Sequence, residues 1–183
     1  MEEKIKTNLF RAGEYFMSSI WIQSQLSDLI ILSRNKNIIG EFVTNKEKIP
    51  SVLKENRIQF WKMDFKDVKR EFENEFNSIL SDQNKADLNT IYYIRNGIAH
   101  SHVSIARNFL FYVPSQTEIE QKFRLSLNVL NENDTDLNDP AIFKFDFSND
   151  EIYFHNFNAI KRIDEELLFR VCEELKIPHE RIR

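Results

Sequence analysis

EEKIKTNLFRAGEYFMSSIWIQSQLSDLIILSR, residues 2–34, is the stretch on which the fold class turns. Ile5, Leu9, Ala12, Phe16 and Ile20 recur at steps of three and four, and Leu26, Leu29 and Ile30 carry the pattern on. That is the period of an α-helix sustained over many turns, so the spacing predicts one long helix with this stripe against a core. Gly13 is tolerated inside it at about 1 kcal/mol relative to alanine. The exit RNKNIIG offers polar residues and Gly40 as the expected stop.

Beyond this helix, residues 36–64 have no single period. They contain Pro50, a candidate short helix at SVLKENRIQFW, and the rings of Phe60 and Trp61, both expected in the core. Phe65, Val68, Phe72, Phe76 and Ile79 then mark a second core helix with charged residues on its other face. A polar break, SDQNKAD, leads into a third, whose inward stripe is Ile91, Ile94, Ile98 and Ile105. After about Asn108 the period changes to two. FRLSLNV at 123–129 alternates, Phe143, Phe145 and Phe147 alternate, and SND leads into EIYFH, so 141–156 reads as an antiparallel hairpin with FLFYV at 109–113 as its neighbour. The chain closes on a helix with Asn158 as cap, Ile160, Ile163, Leu167, Leu168, Val171 and Leu175 on one face, and Pro178 as stop. This last helix is expected to cover the sheet. The expected class is α+β, mainly α: an antiparallel helical bundle over 1–108, then a small antiparallel sheet and a C-terminal helix over 109–183, packed as one unit.

Composition narrows the function classes. The chain of 183 residues holds three glycines, four prolines and sixteen phenylalanines, which fits long elements around a core of large rings rather than a many-stranded sandwich. Its single cysteine, Cys172, allows neither an internal disulfide nor a thiolate cluster for zinc. No apolar run reaches membrane-spanning length and MEEKIKTNLFRAGEYF lacks the basic-then-apolar order of a signal peptide, so a cytoplasmic protein without a membrane partner is expected. A formal charge of -4 argues against coating nucleic acid through bulk electrostatics, while local basic patches are compatible with it. NENDTDLND at 131–139 lacks the glycine and the closing glutamate of a calcium loop and reads as a solvated connection.

The chemistry-bearing stretch is IYYIRNGIAHSHVSIARN at 91–108. Read at about 100° per residue, the isoleucines occupy one narrow arc, while Tyr92, Asn96, Ala99, His100 and Val103 form a second stripe. A helix with two used faces wants two neighbours. One is its own core; the other is a partner chain, a different element of this chain or a ligand, and in a dimer Tyr92, Ala99 and Val103 are the expected interface residues. Arg95 and His100, five apart, lie about 140° from one another around a straight helix, so one helix cannot close both on one small atom. Two copies about a twofold axis would bring an arginine, an asparagine and a histidine from each into a shared cleft.

Arg95-Asn96-Gly97-Ile98-Ala99-His100 resembles the signature of the HEPN superfamily, an arginine, commonly followed by a polar residue, then a histidine after four to six residues on a late helix of an antiparallel bundle. The resemblance covers this motif and, loosely, the helical part up to about residue 108, and does not extend to 109–183. It implies a homodimeric, metal-independent endoribonuclease of toxin–antitoxin, phage-defence or RNA-processing type, with RNA as substrate and no cofactor. An antitoxin or another defence-system protein is the further partner it implies. A non-catalytic nucleotide- or partner-binding module of the same superfamily is the alternative.

Cleavage by attack of a ribose 2′-hydroxyl on the adjacent phosphate needs two proton transfers and neutralisation of charge on the phosphate oxygens. His100 suits the proton transfer, Arg95 bidentate stabilisation of the phosphate, and Asn96 the orientation of either His100 or the substrate. The products would be a 2′,3′-cyclic phosphate and a 5′-hydroxyl. Without catalysis, Arg95 would be an ion-pair partner of Asp28 or Glu14. His102 is a supporting group on the arginine side or else a surface histidine. Paired with His100 it suggests a metal motif, but on a helix the two diverge by about 200° and no third ligand follows, so no metal is expected. His155 and His179 have no recognisable partners. Finally, Lys54, Arg57, Lys62, Lys66, Lys69 and Arg70 outnumber the nearby carboxylates, with Arg57, Lys62 and Lys66 as secondary RNA contacts and the rings of Phe60 and Trp61 assigned to the core.

Overall fold

The first helix, α1 (Glu2–Arg34), runs unbroken as its periodicity requires, in a computed structural model that describes residues 2–44, 51–103, 109–114, 118–119 and 143–179. The face it buries differs from the apolar stripe. Ala12, Leu26, Leu29 and Ile30 are inside as expected, but Asn8, Tyr15, Ser19 and Ile22 join them while Leu9 is exposed, so over residues 2–20 the buried face is turned by roughly 80° about the axis. Hydrogen bonds make the polar positions buryable. The Asn8 amide donates to the Phe145 carbonyl at 3.1 Å and accepts from the Phe147 N–H at 2.8 Å. Ser19 and Ser27 return their hydroxyls to the helix's own carbonyls, at Phe16 and Gln23. Gly13 lies on the outward side, where a Cβ would meet nothing within 4 Å. Gly13→Ala is therefore expected to stabilise the chain by about 0.5–1 kcal/mol, visible as a calorimetric Tm raised by about 1–4 °C; a lowered Tm would contradict an open position.

After α1 the chain does not stop at Gly40. A 3₁₀ turn (Lys36–Ile38) passes directly into α2 (Ile39–Thr44), which contains that glycine. Then α3 (Ser51–Phe60) fills the expected short helix, and α4 (Phe65–Glu75) follows, capped by the Asp64 carboxylate accepting from the Asp67 N–H at 2.8 Å. Phe65, Val68, Phe72 and Phe76 are buried as their spacing requires.

The polar SDQNKAD is not a break but the opening of α5 (Asp82–Ala99). Ser81 and Asn84 cap it reciprocally: the Asn84 side chain accepts from the Ser81 N–H at 3.0 Å and the Ser81 hydroxyl from the Asn84 N–H at 3.1 Å. Asn84 and Asp87 are buried and face arginines, Arg170 at 2.7 Å and Arg162 in a two-pronged pair at 2.8 and 2.6 Å.

Three short strands form an antiparallel sheet in the order β1 (His102–Val103), β2 (Leu110–Tyr112), β3 (Phe143–Phe145). His102 lies opposite Phe111, and Leu110 opposite Phe145. FLFYV and the Phe143–Phe145 run thus pair as expected; Ile105, FRLSLNV at 123–129 and NENDTDLND at 131–139 lie outside the described residues. EIYFH is not the second strand of a hairpin. The Asn149 side chain accepts from the N–H groups of Glu151 and Ile152 and starts α6 (Asp150–Arg162) there, so Asn158 is inside the helix rather than its cap. Five residues that alternate also satisfy the first turns of a helix burying Tyr153, Asn156 and Ile160. A π-helical turn (Ile163–Leu168) leads to α7 (Phe169–Leu175), closed by Lys176 in the left-handed region at φ 57°.

The fold is mainly α with a small antiparallel sheet and a C-terminal helix. Two compact units compose it, Met1–Ser19 with Asn89–Ile160, and Ile20–Leu88 with Lys161–Arg183, so each draws on both sides of residue 108. In the first unit, Tyr15, Phe145, Phe147 and Tyr153 are buried around the sheet, with Phe147 stacked between Tyr15 at 6.1 Å and Phe145 at 5.7 Å. The second is filled by Leu26, Ile30, Leu53, Phe65, Phe72, Leu167 and Val171. Among the described residues no helix is long and apolar enough to cross a membrane.

Candidate functional site

All of the motif lies in the first unit, at the end of α5. Ile91 and Ile94 are fully buried and fix that face of the helix; Arg95 and Asn96, next along it, are half-buried. The helix ends at Ala99 because Ser101 turns its hydroxyl and its N–H onto the Ile98 carbonyl, at 2.8 and 3.2 Å. His100 is the first residue past the end, exposed and still tied to the last turn through its N–H to the Asn96 carbonyl at 3.0 Å.

His102 and Val103 are consequently strand residues of β1, not helical ones, and the angular reading of the motif stops at Ala99. Successive strand residues point to opposite sides of a sheet, so Val103 does not continue a helical stripe with Ala99. His102 and Val103 are both exposed, and the His102 ring lies 6.2 Å from that of Phe111 across the strand pair. Ala99 is exposed as well.

Two side chains that the motif does not include complete the surroundings. The Arg95 guanidinium carbon lies 5.8 Å from the ring centre of Phe16 on α1, within reach of a cation–π contact. Tyr112 on β2 is held in its neutral form, first by burial and then by the neighbouring phenol of Tyr92. Tyr92 is half-buried and near enough to Tyr112 to act on its phenol. Phe16 is visible in the sequence as an apolar residue on the α1 stripe; its meeting with Arg95 depends on how α1 and α5 rotate, which single-helix spacing does not encode.

The two carboxylates nominated for Arg95 have other partners. Glu14 accepts from the Tyr153 hydroxyl at 2.6 Å, and Asp28 holds Arg57 through two hydrogen bonds of 2.7 and 2.5 Å. Comparison of the chain with protein-family models, with curated proteins and with solved structures finds no match. Function has to be argued from these side chains.

The secondary RNA contacts fall in the second unit. Arg57 is a correction: its guanidinium is engaged by Asp28, which raises its pKa against the opposing effect of burial, and it is not presented to a ligand. Lys62 and Lys66 are exposed. Trp61, expected in the core, is a second correction: it is 69% exposed, while Phe60 beside it is buried. Among the described residues no group of three metal-ligating side chains comes together. Cys172 is buried, and burial followed by the nearby Asp164 pushes its thiol up to about 11, so it stays protonated and unreactive at neutral pH.

Proposed function

We propose that the chain is a metal-independent endoribonuclease of HEPN type, acting as a homodimer, in which Arg95, Asn96 and His100 of two copies line one cleft. The observation that carries this reading is the junction at the end of α5. Arg95 is half-buried against Phe16, which limits the freedom it would lose on clamping a phosphate, while His100 stands exposed one residue past the helix. His100 moves the protons of 2′-hydroxyl attack and 5′-oxygen departure, Arg95 neutralises the phosphate, and Asn96 orients His100 or the substrate.

The twofold arrangement has separate support. α1 leaves Phe10 73% and Met17 64% exposed, with Leu9 beside them, an apolar face flanking the Phe16 on which Arg95 lies. Ala99 and Val103 add exposed apolar surface at the α5 exit. Met17→Glu is expected to convert a dimer to a monomer in light scattering and to remove cleavage with it. A wild-type chain that is monomeric throughout would defeat the composite site. Incubation of wild type and His100→Ala with total RNA and with tRNA tests the chemistry, and RNA bound but never cut would leave a binding module instead.

A further inference from the structure

We propose that the outer face of α3 is a binding platform for single-stranded RNA, with Trp61 as the stacking ring and Lys54 and Lys62 as its phosphate contacts. The choice of RNA rests on the reading above; the platform itself rests on the second unit alone. Trp61 is 69% exposed. An indole is among the largest apolar surfaces a chain can present, and leaving it in water forgoes its burial. It is also held in place. The Trp61 N–H bonds to the Arg57 carbonyl at 2.9 Å, Met63 to the Phe60 carbonyl at 3.0 Å, and Gln23 of α1 donates to the Met63 carbonyl at 3.2 Å. Phe60 and the Asp28–Arg57 pair anchor the same turn from inside. The backbone that carries the ring is therefore hydrogen-bonded to the end of a helix rather than carried on a loop.

The charges around it select the ligand. Lys54, Ile58 and Trp61 follow at i, i+4 and i+7, so they share one face of the helical turn, and Lys62 stands four residues from Ile58. Other cations nearby are engaged: Arg57 by Asp28, Lys69 by Glu73 at 3.0 Å, Arg70 by Asp67 at 2.8 Å, and Arg34 by Glu71 and Glu75. Lys54, Lys62 and Lys66 are exposed and, among the described residues, enter no ion pair. Glu55 is the opposing exposed carboxylate on α3, and the carboxylate of Asp64, also exposed, is engaged by the Asp67 N–H in capping α4. Uncommitted lysines beside an exposed indole match the alternating phosphates and ring faces of an unpaired strand. A protein partner would instead favour a broader apolar core to the contact, and among the described residues of this face only Ile58 accompanies the ring.

The test uses the full chain carrying His100→Ala, so that RNA is not consumed, titrated with a labelled twelve-nucleotide oligouridylate and followed by anisotropy and intrinsic fluorescence. Saturable binding with quenching is expected. Trp61→Ala should weaken it about tenfold, Trp61→Phe far less, and Lys54→Ala and Lys62→Ala should each lower the salt slope by about 0.7. Unchanged affinity in Trp61→Ala, equal damage from phenylalanine and alanine, or equal binding of a duplex of the same length would overturn the platform. So would Trp61-dependent self-association without RNA binding. Trp61-dependent binding in a wild-type chain that cuts nothing would defeat the catalytic reading alone, and His100-dependent cleavage with binding indifferent to Trp61 would defeat only the platform.

Discussion

His100→Ala is expected to lower the rate of RNA cleavage by about 10²–10⁴-fold, the range associated with loss of a positioned proton-transfer group, with no fall in Tm. The second half follows from position. His100 is exposed and past the end of α5, and its helix-terminating contribution is made by the backbone N–H, which alanine keeps. A loss of activity therefore cannot be ascribed to unfolding. Arg95 gives the complementary result. Arg95→Lys retains the charge but not the two-pronged donor geometry, so it should remain strongly impaired if the guanidinium clamps a phosphate. Equal cleavage by wild type and His100→Ala across total RNA and tRNA would remove the catalytic assignment. Salt dependence offers a further check, because a chain of formal charge -4 that works through a few local contacts should lose little turnover where a basic coat protein would dissociate.

How much of this is legible in the sequence differs element by element. The existence of α1, α4 and α5 follows from apolar spacing, because a helix that buries one face must repeat that spacing, whereas α3 lies in a stretch with no single period. The orientation of α1 does not follow, since Asn8, Ser19 and Ser27 are buried by hydrogen bonds to partners that spacing cannot reveal. The same blindness displaces the start of α5: Asn84 and Asp87 look like a polar break and are in fact buried against Arg170 and Arg162. EIYFH misleads for another reason. Over five residues, periods of two and of 3.6 overlap, and the decision belongs to the cap at Asn149 rather than to the run itself. For the site, Arg95, Asn96 and His100 are visible as a motif. The end of the helix between Asn96 and His102 is not, because it is made by Ser101 folding back on Ile98. Trp61 shows the limit of composition: a ring beside a buried ring reads as core, and only three-dimensional exposure separates the two.

The largest expected effect on stability is at Asn8. Its side chain accepts from the Phe147 N–H and donates to the Phe145 carbonyl, so an amide on α1 makes the two backbone bonds that a neighbouring strand would make with this end of β3. The surroundings are apolar, with Tyr15, Phe145 and Phe147 all buried, and water cannot replace the lost partner. Asn8→Leu keeps the branched shape, with a somewhat larger side chain, and removes both hydrogen bonds to the buried strand end. At about 1–3 kcal/mol for each orphaned group, a loss near 3 kcal/mol is expected, or about 6–12 °C in Tm for a chain of this size. That is a large part of the roughly 5–15 kcal/mol by which such a chain is stable. Asn8→Asp separates hydrogen bonding from packing. The carboxylate still accepts from Phe147, but when ionised it faces the Phe145 carbonyl without a proton to donate. Burial raises the folded-state pKa of such a carboxyl above its unfolded value of about 3.9. The variant should therefore be closest to wild type below about pH 3.9, where the protonated acid restores the donor, and should fall behind as pH rises through the folded-state pKa. Amide exchange at Phe147 should accelerate in Asn8→Leu and stay slower in Asn8→Asp. A Tm unchanged in Asn8→Leu, or an Asn8→Asp penalty independent of pH, would show that Asn8 is not the tie between α1 and β3.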